Sequence, residues 1–275
     1  QYALLIDNDD TFAAGATTHA GSSVSDGVVT FDNVSLSGLQ YLTVAIVDGA
    51  MQGPGDVTEN LRFWLKANAG TTGTGPMSAW ADQSGNGFVA TVPVNGPDLI
   101  ADAANFNPAV DFTRANSEYL LVTNGIWGTL AIPNAWVYYV SMGDAVATQT
   151  VFNENLNGAR YFSSHNPWGA NVYYMTGNNN DGQGRISGPS GLTLNQYHMW
   201  TLGTSTGTTT PAGTNKAISR DGEIILTNTT TDTGSGTNQN LYIGGWFTGV
   251  AGTYYHDGQI AEMIVYNTVP TIQEE

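Results

Sequence analysis

The sequence predicts an all-β protein, an antiparallel β-sandwich preceded by a small β segment, and three observations carry that reading. Alternating or β-branched apolar runs of strand length recur along the whole chain. Clusters of Gly, Asn, Asp and Thr separate them, with 34 Gly and 10 Pro among 275 residues. Almost no stretch keeps helical i, i+3, i+4 spacing over three turns. Hydrophobic residues make up 41% of the chain, enough for a packed core at this length.

In chain order, residues 2–6, 27–33 and 41–47 are the first strand candidates, rich in Val, Ile, Leu and Tyr. Asp48-Gly-Ala-Met-Gln-Gly-Pro-Gly-Asp56 follows, with three Gly, one Pro and little to bury, which is linker composition. We therefore expect residues 1–48 to be a small β segment belonging to an adjoining domain, residues 49–60 a linker, and residues 61–268 one larger sandwich. Residues 269–275 read as the start of a continuation. Within the larger unit the expected strands are 61–66, 109–112, 119–122, 135–141, 149–154, 159–164, 171–175, 198–204, 215–220, 222–228, 241–244 and 259–266. So many strands with turn residues between them imply two packed antiparallel sheets. Between the first two, Trp80-Ala-Asp-Gln-Ser-Gly-Asn-Gly87 reads as a tight turn. Asp82 and Ser84 accept backbone N–H bonds there, Gly85 and Gly87 take positive φ, and Trp80 fills core volume.

Composition excludes several functions. Seven Lys and Arg stand against 23 Asp and Glu, a formal charge of −16, so no basic surface is available to track phosphates. Nucleic acid is therefore not an expected partner, and membrane insertion is not expected either, since no apolar run approaches the roughly 20 residues of a spanning helix. The absence of Cys removes disulfides, zinc-thiolate sites and thiol catalysis together. Charged residues are only 11% of the chain while Thr, Asn, Ser and Gly are plentiful, which is the neutral polar surface of exported β-rich proteins. The expected location is extracellular or at a cell surface.

A series of motifs then appears in order: Leu61-Arg-Phe-Trp-Leu-Lys-Ala67, the Trp80 to Gly87 turn, Asn105-Phe-Asn-Pro-Ala-Val-Asp-Phe112 and Glu118-Tyr-Leu-Leu121. Further on stand His165-Asn-Pro-Trp-Gly-Ala-Asn-Val-Tyr-Tyr174, Arg220-Asp-Gly222 and Asp257-Gly-Gln-Ile-Ala-Glu-Met-Ile-Val-Tyr-Asn267. This series resembles the laminin-G-like, concanavalin A-like jelly-roll modules of large bacterial surface and secreted proteins of the Bacteroidetes type. The resemblance implies a jelly-roll sandwich, a Pro-Trp hairpin at residues 165–174, surface display, glycan or protein partners, neighbouring domains in the same polypeptide, and calcium.

Glycan binding needs exposed aromatic faces for sugar C–H groups and polar side chains for hydroxyls. Trp168, Tyr173, Tyr174, Trp246, Tyr254 and Tyr255 lie in or beside loop-like segments, with Asn153, Asn155, Arg160, His165 and Asn171 in the adjoining strands. From these the expected ligand-binding set is Trp246, Trp168, Tyr174, Asn153, Arg160 and His165. Trp64, Trp136 and Trp200 sit inside apolar strands and are assigned to the core. Calcium takes carboxylate, amide and carbonyl oxygens. Asp7-Asn-Asp-Asp10 is the densest such run, so Asp7, Asp9 and Asp10 are the expected metal ligands, although the run lacks the Gly and Glu of an EF-hand loop. Asn178-Asn-Asn-Asp-Gly182 is a second candidate.

Enzymatic readings find less support. Glycoside hydrolysis needs two carboxylates facing one bond, and none of the seven Glu lies in a clustered acidic pattern. Glu154 is a lone strand acid with a polar entourage, and Glu262 reads as a structural partner for a neighbouring strand. Gly203-Thr-Ser-Thr-Gly207 matches G-x-S-x-G, yet Thr208-Thr-Thr-Pro-Ala-Gly213 behind it is loop-like where a nucleophile elbow needs a helix. His19, His165, His198 and His256 show no zinc spacing and read as polar surface or hairpin positions. The leading expectation is thus a non-catalytic adhesion or carbohydrate-recognition module. A polysaccharide hydrolase or lyase on the same fold, and a structural spacer in a stalk or filament, remain as alternatives, since one sandwich hosts all three roles.

Overall fold

A computed structural model describes residues 2–8, 17–20, 23–25, 28–46, 53–73, 75–127, 134–157, 160–178, 184–205, 215–229, 239–247 and 252–268. The chain divides into two compact units, Gln1–Gln52 and Gly53–Glu275. In the first, Tyr2–Asp7 lies between Thr17–Ala20 and Tyr41–Ile46 in an antiparallel sheet. Ser23–Ser25 and Val28–Thr30 pair separately.

The second unit is an antiparallel β-sandwich. One sheet runs Asp98–Ala104, Asn107–Phe112, Gly258–Tyr266, Ala135–Gly143, His198–Thr204, Lys216–Arg220, Glu223–Asn228, and Leu61–Lys66 also pairs with Gly258–Tyr266. The other runs Arg185–Pro189, Asn171–Asn178, Arg160–Trp168, Thr150–Asn157, Leu241–Ile243, Leu120–Val122, Val89–Thr91, Ala79–Ala81, Thr71–Thr72. Strand alternation sends one set of side chains from each sheet inward. Phe63, Leu65, Val110, Val137, Tyr139, Trp200 and Val265 from the first meet Phe152, Phe162, Val172, Tyr174, Ile186, Leu241 and Ile243 from the second in one core. The Tyr139 ring meets Phe152 edge-on at 6.3 Å, and its hydroxyl lies 3.2 Å from Ser164 Oγ.

The Gly258–Tyr266 strand organises the first sheet, because it pairs with three others. A register shift between Val140 and Ser141 lets Ile260, Met263 and Val265 all join the core. Glu262 is left on the outer face, where its Oε1 accepts the Trp64 indole N–H at 2.7 Å. It is the structural strand partner that the sequence suggests. Trp64, Trp136 and Trp200 are all buried, as expected.

The turn after Trp80 also forms as anticipated. Asp82 Oδ1 accepts N–H bonds from Trp64 at 2.8 Å and Ser84 at 3.0 Å, and Ser84 Oγ accepts that of Asn86 at 3.3 Å. Gly85 and Gly87 have φ of +87° and +77°, and Trp80 is fully buried.

Two expectations are corrected. Strands Asp98–Ala104 and Arg185–Pro189 were not anticipated, because each is an edge strand with half-exposed, weakly apolar alternation. Three of the four histidines are not surface residues: His165, in the 165–174 hairpin, His198 and His256 are buried, while His19 is half-buried. His198 Nδ1 lies 2.7 Å from Asp221 Oδ2 in the Arg220-Asp-Gly222 turn, and His256 packs edge-on against Phe112.

Candidate functional site

The outward face of the sheet containing Arg160–Trp168 is polar and aromatic. Register aligns Tyr242, Asn153, Ser163, Met175 and Arg185 in one row across it, and His165, Tyr173 and Ser187 in the next. A short hairpin of Trp246–Phe247 and Gly252–Thr253 accompanies this face. Asn153 Oδ1 accepts the Phe247 N–H at 3.1 Å, and the Phe247 ring stacks on Tyr242 with centroids 4.1 Å apart at 13°. Asn153 therefore anchors the hairpin.

Trp246 and its neighbour Tyr254 are thereby held beside the Arg160–Trp168 strand. Together His165, Trp168, Tyr173, Met175, Arg185 and Trp246 line a pocket of about 70 Å³. His165 is wedged between Trp168 at 4.7 Å and Trp246 at 4.8 Å, ring centre to ring centre. Trp168 and Tyr254 meet at 5.0 Å, ring centre to ring centre, and are 37% and 42% exposed. Trp168 shares a face with His165 because the register with Asn171–Asn178 shifts between those two residues. The Arg185 guanidinium lies 5.2 Å from the Tyr173 ring centroid.

His165 sets the polarity of the pocket floor. Its Nδ1 lies 2.8 Å from Thr150 Oγ1 and 3.2 Å from the Gln149 carbonyl oxygen. A carbonyl only accepts, so Nδ1 carries the proton and Nε2 presents a lone pair. Burial, reinforced by the Arg185 charge, pushes the imidazole down to about 4, so it is neutral near pH 7. Nε2 is buried without a hydrogen-bond partner among the described residues.

A larger cleft of about 510 Å³ lies between Pro76, Asn95, Asp98, Asn116 and Glu118. It lacks an aromatic wall, and both Glu118 oxygens are engaged, by the Thr113 N–H at 2.6 Å and Asn116 Nδ2 at 2.9 Å. The aromatic pocket is the better candidate site.

The structure thus brings Trp246, Trp168 and His165 together, with Asn153 close by as the hairpin's anchor. Tyr174 is corrected: it points into the sandwich core, and Tyr173 takes the outward face, because adjacent strand residues face opposite sides. Arg160 pairs with Asn178 at the far end of its strand, and its side chain lies outside the described residues. Arg185 and Met175 were missed. The signal available for Arg185 was its scarcity, as one of only seven basic residues.

Glu154 faces inward. Its Oε2 accepts the Ile126 N–H at 3.2 Å, and burial pushes its carboxyl up to about 8 despite the nearby Arg62 charge. Ser205 is buried, with its N–H bonded to the Asn215 carbonyl at 2.8 Å, and the segment behind it lies outside the described residues. Of the expected calcium ligands, Asp7 is buried at the end of Tyr2–Asp7, while Asp9 and Asp10 lie outside the described residues, as does most of the 178–182 run. Among the described residues no group of three or more His, Asp or Glu is placed to hold a metal, and no helix is long and apolar enough to cross a membrane.

No family model matches the sequence, and no curated protein matches it. Solved structures do match by fold. Domain 4 of the extracellular arabinanase AbnA from Geobacillus stearothermophilus, in complex with arabinotriose, is similar with TM-score 0.57 and 14% identity, covering 78% of this chain and 96% of that one. The binding domain of botulinum neurotoxin DC in complex with SialylT is similar at TM-score 0.53 and 11% identity, covering 79% of this chain and 50% of that one. Trypanosoma rangeli sialidase in complex with the inhibitor DANA is similar at 0.52 and 12%, covering 77% and 31%. At these identities the likeness shows the β-sandwich fold alone.

Proposed function

We propose that the Gly53–Glu275 unit is a non-catalytic carbohydrate-recognition or adhesion module of an exported, surface-displayed protein. The observation that carries this reading is the aromatic pocket, in which two indoles and two phenol rings surround a buried histidine on the open face of a sheet. Ring faces of this kind stack on sugar C–H groups, while His165 and Arg185 supply the polar contacts that fix orientation. That a similar sandwich, the AbnA domain, was solved with arabinotriose supports the reading.

The hydrolase alternative requires paired carboxylates. Glu154 and Glu262, the acids singled out in the sequence, belong to different sheets, and each is bonded within the fold. Calcium is proposed separately for the Gln1–Gln52 unit, where Asp7 Oδ2 is buried with no partner among the described residues. The test is a glycan array on the purified chain and on Trp168→Ala, each with calcium and with chelator, alongside thermal melts. Binding weakened in Trp168→Ala at an unchanged melt supports the module. Absence of binding for the parent chain in both buffers favours the spacer reading and removes this one. A chelator effect on the melt is expected for the calcium part and is read separately.

A further inference from the structure

We propose that the pocket holds the acetamido group of an N-acetylated amino sugar, whose amide N–H donates to His165 Nε2 and whose methyl group packs on the aromatic walls; this rests on the carbohydrate-recognition reading above. Thr150, His165 and Tyr173 are consecutive in one row across three strands. The Nδ1 edge of the imidazole is tied to the Thr150 side, by Thr150 Oγ1 and the Gln149 carbonyl oxygen. Nε2 lies across the ring from Nδ1, so it is directed to the other side of the strand, where Tyr173, Met175 and Arg185 line the pocket. There it is a buried acceptor with no partner among the described residues, in a side chain only 1% exposed. The ring is neutral near pH 7, so the lone pair is present at that pH.

A buried acceptor left unpaired is costly, and a ligand N–H or O–H is the group that satisfies it. The size and walls of the pocket choose between them. At about 70 Å³ it is far below the roughly 300 Å³ at which sites enclosing a whole small molecule begin, so it admits one substituent and leaves the sugar ring outside, against Trp168. Its walls are mainly apolar: two indoles, the Tyr173 ring and the Met175 thioether chain. A hydroxyl brings two further lone pairs against such walls and no carbon to fill them, whereas an amide nitrogen only donates and carries a methyl group two bonds away. In a trans amide the N–H and C=O point in opposite directions, so with the N–H on the floor the carbonyl oxygen faces the opening. An acetamido group is also uncharged, which suits a molecule of net charge −16 better than an anionic substituent does.

The experiment is a calorimetric titration of the full chain with methyl glycosides of the gluco and galacto series, each in three forms that differ only at carbon 2: acetamido, O-acetyl and free hydroxyl. The O-acetyl form keeps the methyl and carbonyl groups and lacks only the N–H. In one of the two series the acetamido form is expected to bind at least about fivefold more tightly than the O-acetyl form, and the hydroxyl form more weakly still, since it loses the buried methyl. The nitrogen NMR resonance of His165 Nε2 should move on adding the acetamido form and stay in place with the O-acetyl form, a readout taken on the parent chain. His165→Asn, whose amide keeps a donor for the Gln149 carbonyl, should remove the preference for acetamido over O-acetyl, while Trp168→Ala weakens all three forms alike, with melts confirming that each variant folds. Equal binding of the acetamido and O-acetyl forms with an unmoved Nε2 resonance, or tightest binding of the hydroxyl form, overturns the acetamido proposal and leaves carbohydrate recognition standing. No binding of any of these forms, with other glycans bound on the array, also overturns it; no glycan binding at all overturns both readings.

Discussion

At Glu154 a carboxyl group sits where water does not reach, and its titration has a predictable sign. Its ordinary value is 4.5 and burial in the fold raises it to about 8. Between those two values the folded state holds a proton that the unfolded chain has released, so this group makes stability fall as pH rises from about 4.5 to about 8. Glu154→Gln removes the titration and keeps the shape. The variant should match the parent near pH 4.5 and exceed it increasingly toward pH 8, by up to about 1.4 kcal/mol per pH unit. Denaturant melts at several pH values check this, and an equal offset at all pH values would refute it. Gly125 beside it leaves no choice of residue, since a Cβ there would lie 2.2 Å from Glu154 Oε1. In the pocket, Trp168→Ala is expected to weaken sugar binding about fivefold while barely moving the melt, because Trp168 is a rim residue and a sugar–ring stack contributes about 1 kcal/mol. The aromatic and polar types at this site were legible in the sequence. The exchange of Tyr173 for Tyr174 was not, because a one-residue offset reverses the face of a strand and composition does not reveal it.

Among the elements, the hairpin Trp246–Phe247 with Gly252–Thr253 decides whether the pocket exists. The Phe247 N–H bonds to Asn153 at 3.1 Å, and backbone bonds of Tyr254 to Thr150 and of Gly244 to Val151 hold the flanking residues. Asn153→Ala should therefore cost about 1–3 kcal/mol of stability and also loosen sugar binding, although Asn153 itself is fully buried. Stability loss with unchanged affinity would show that the hairpin is held by its Tyr242 and Tyr119 ring contacts instead. The His198–Thr204 strand explains another motif. A Cβ on Gly203 would come within 1.9 Å of the Trp136 ring, so this glycine of the G-x-S-x-G match is required by packing. Gly203→Ala should destabilise by about 1–3 kcal/mol, read as a lowered melt. Local signals were sufficient for the Trp80 to Gly87 turn, while the Pro-Trp hairpin was implied by the resemblance. They were insufficient for Arg185–Pro189, an edge strand that is recognised only by the neighbour it pairs with.

Across the molecule, three buried groups titrate in opposing directions. His165 and His256 fall from 6.5 to about 4 on burial, so the unfolded chain binds protons the fold refuses, and stability drops as pH falls from about 6.5 to about 4. Glu154 works in the opposite direction, from about 4.5 upward. Two rising slopes against one falling slope give these groups a combined stability maximum near pH 6.5. A melt series at constant ionic strength should show it, and the decline on the alkaline side should flatten in Glu154→Gln.

The sequence by itself determined the β class, most strand positions, the tight turns and the neutral, acidic surface, because alternation and turn chemistry are local properties of the chain. Only the tertiary structure decided which side chains meet. His165 and Trp246 are far apart in sequence and become neighbours through strand register and a hairpin tethered to Asn153. The face that Trp168 presents depends on a shift in pairing that no local pattern encodes. Non-local pairing assembles a site, and a linear pattern records only the parts from which it is assembled.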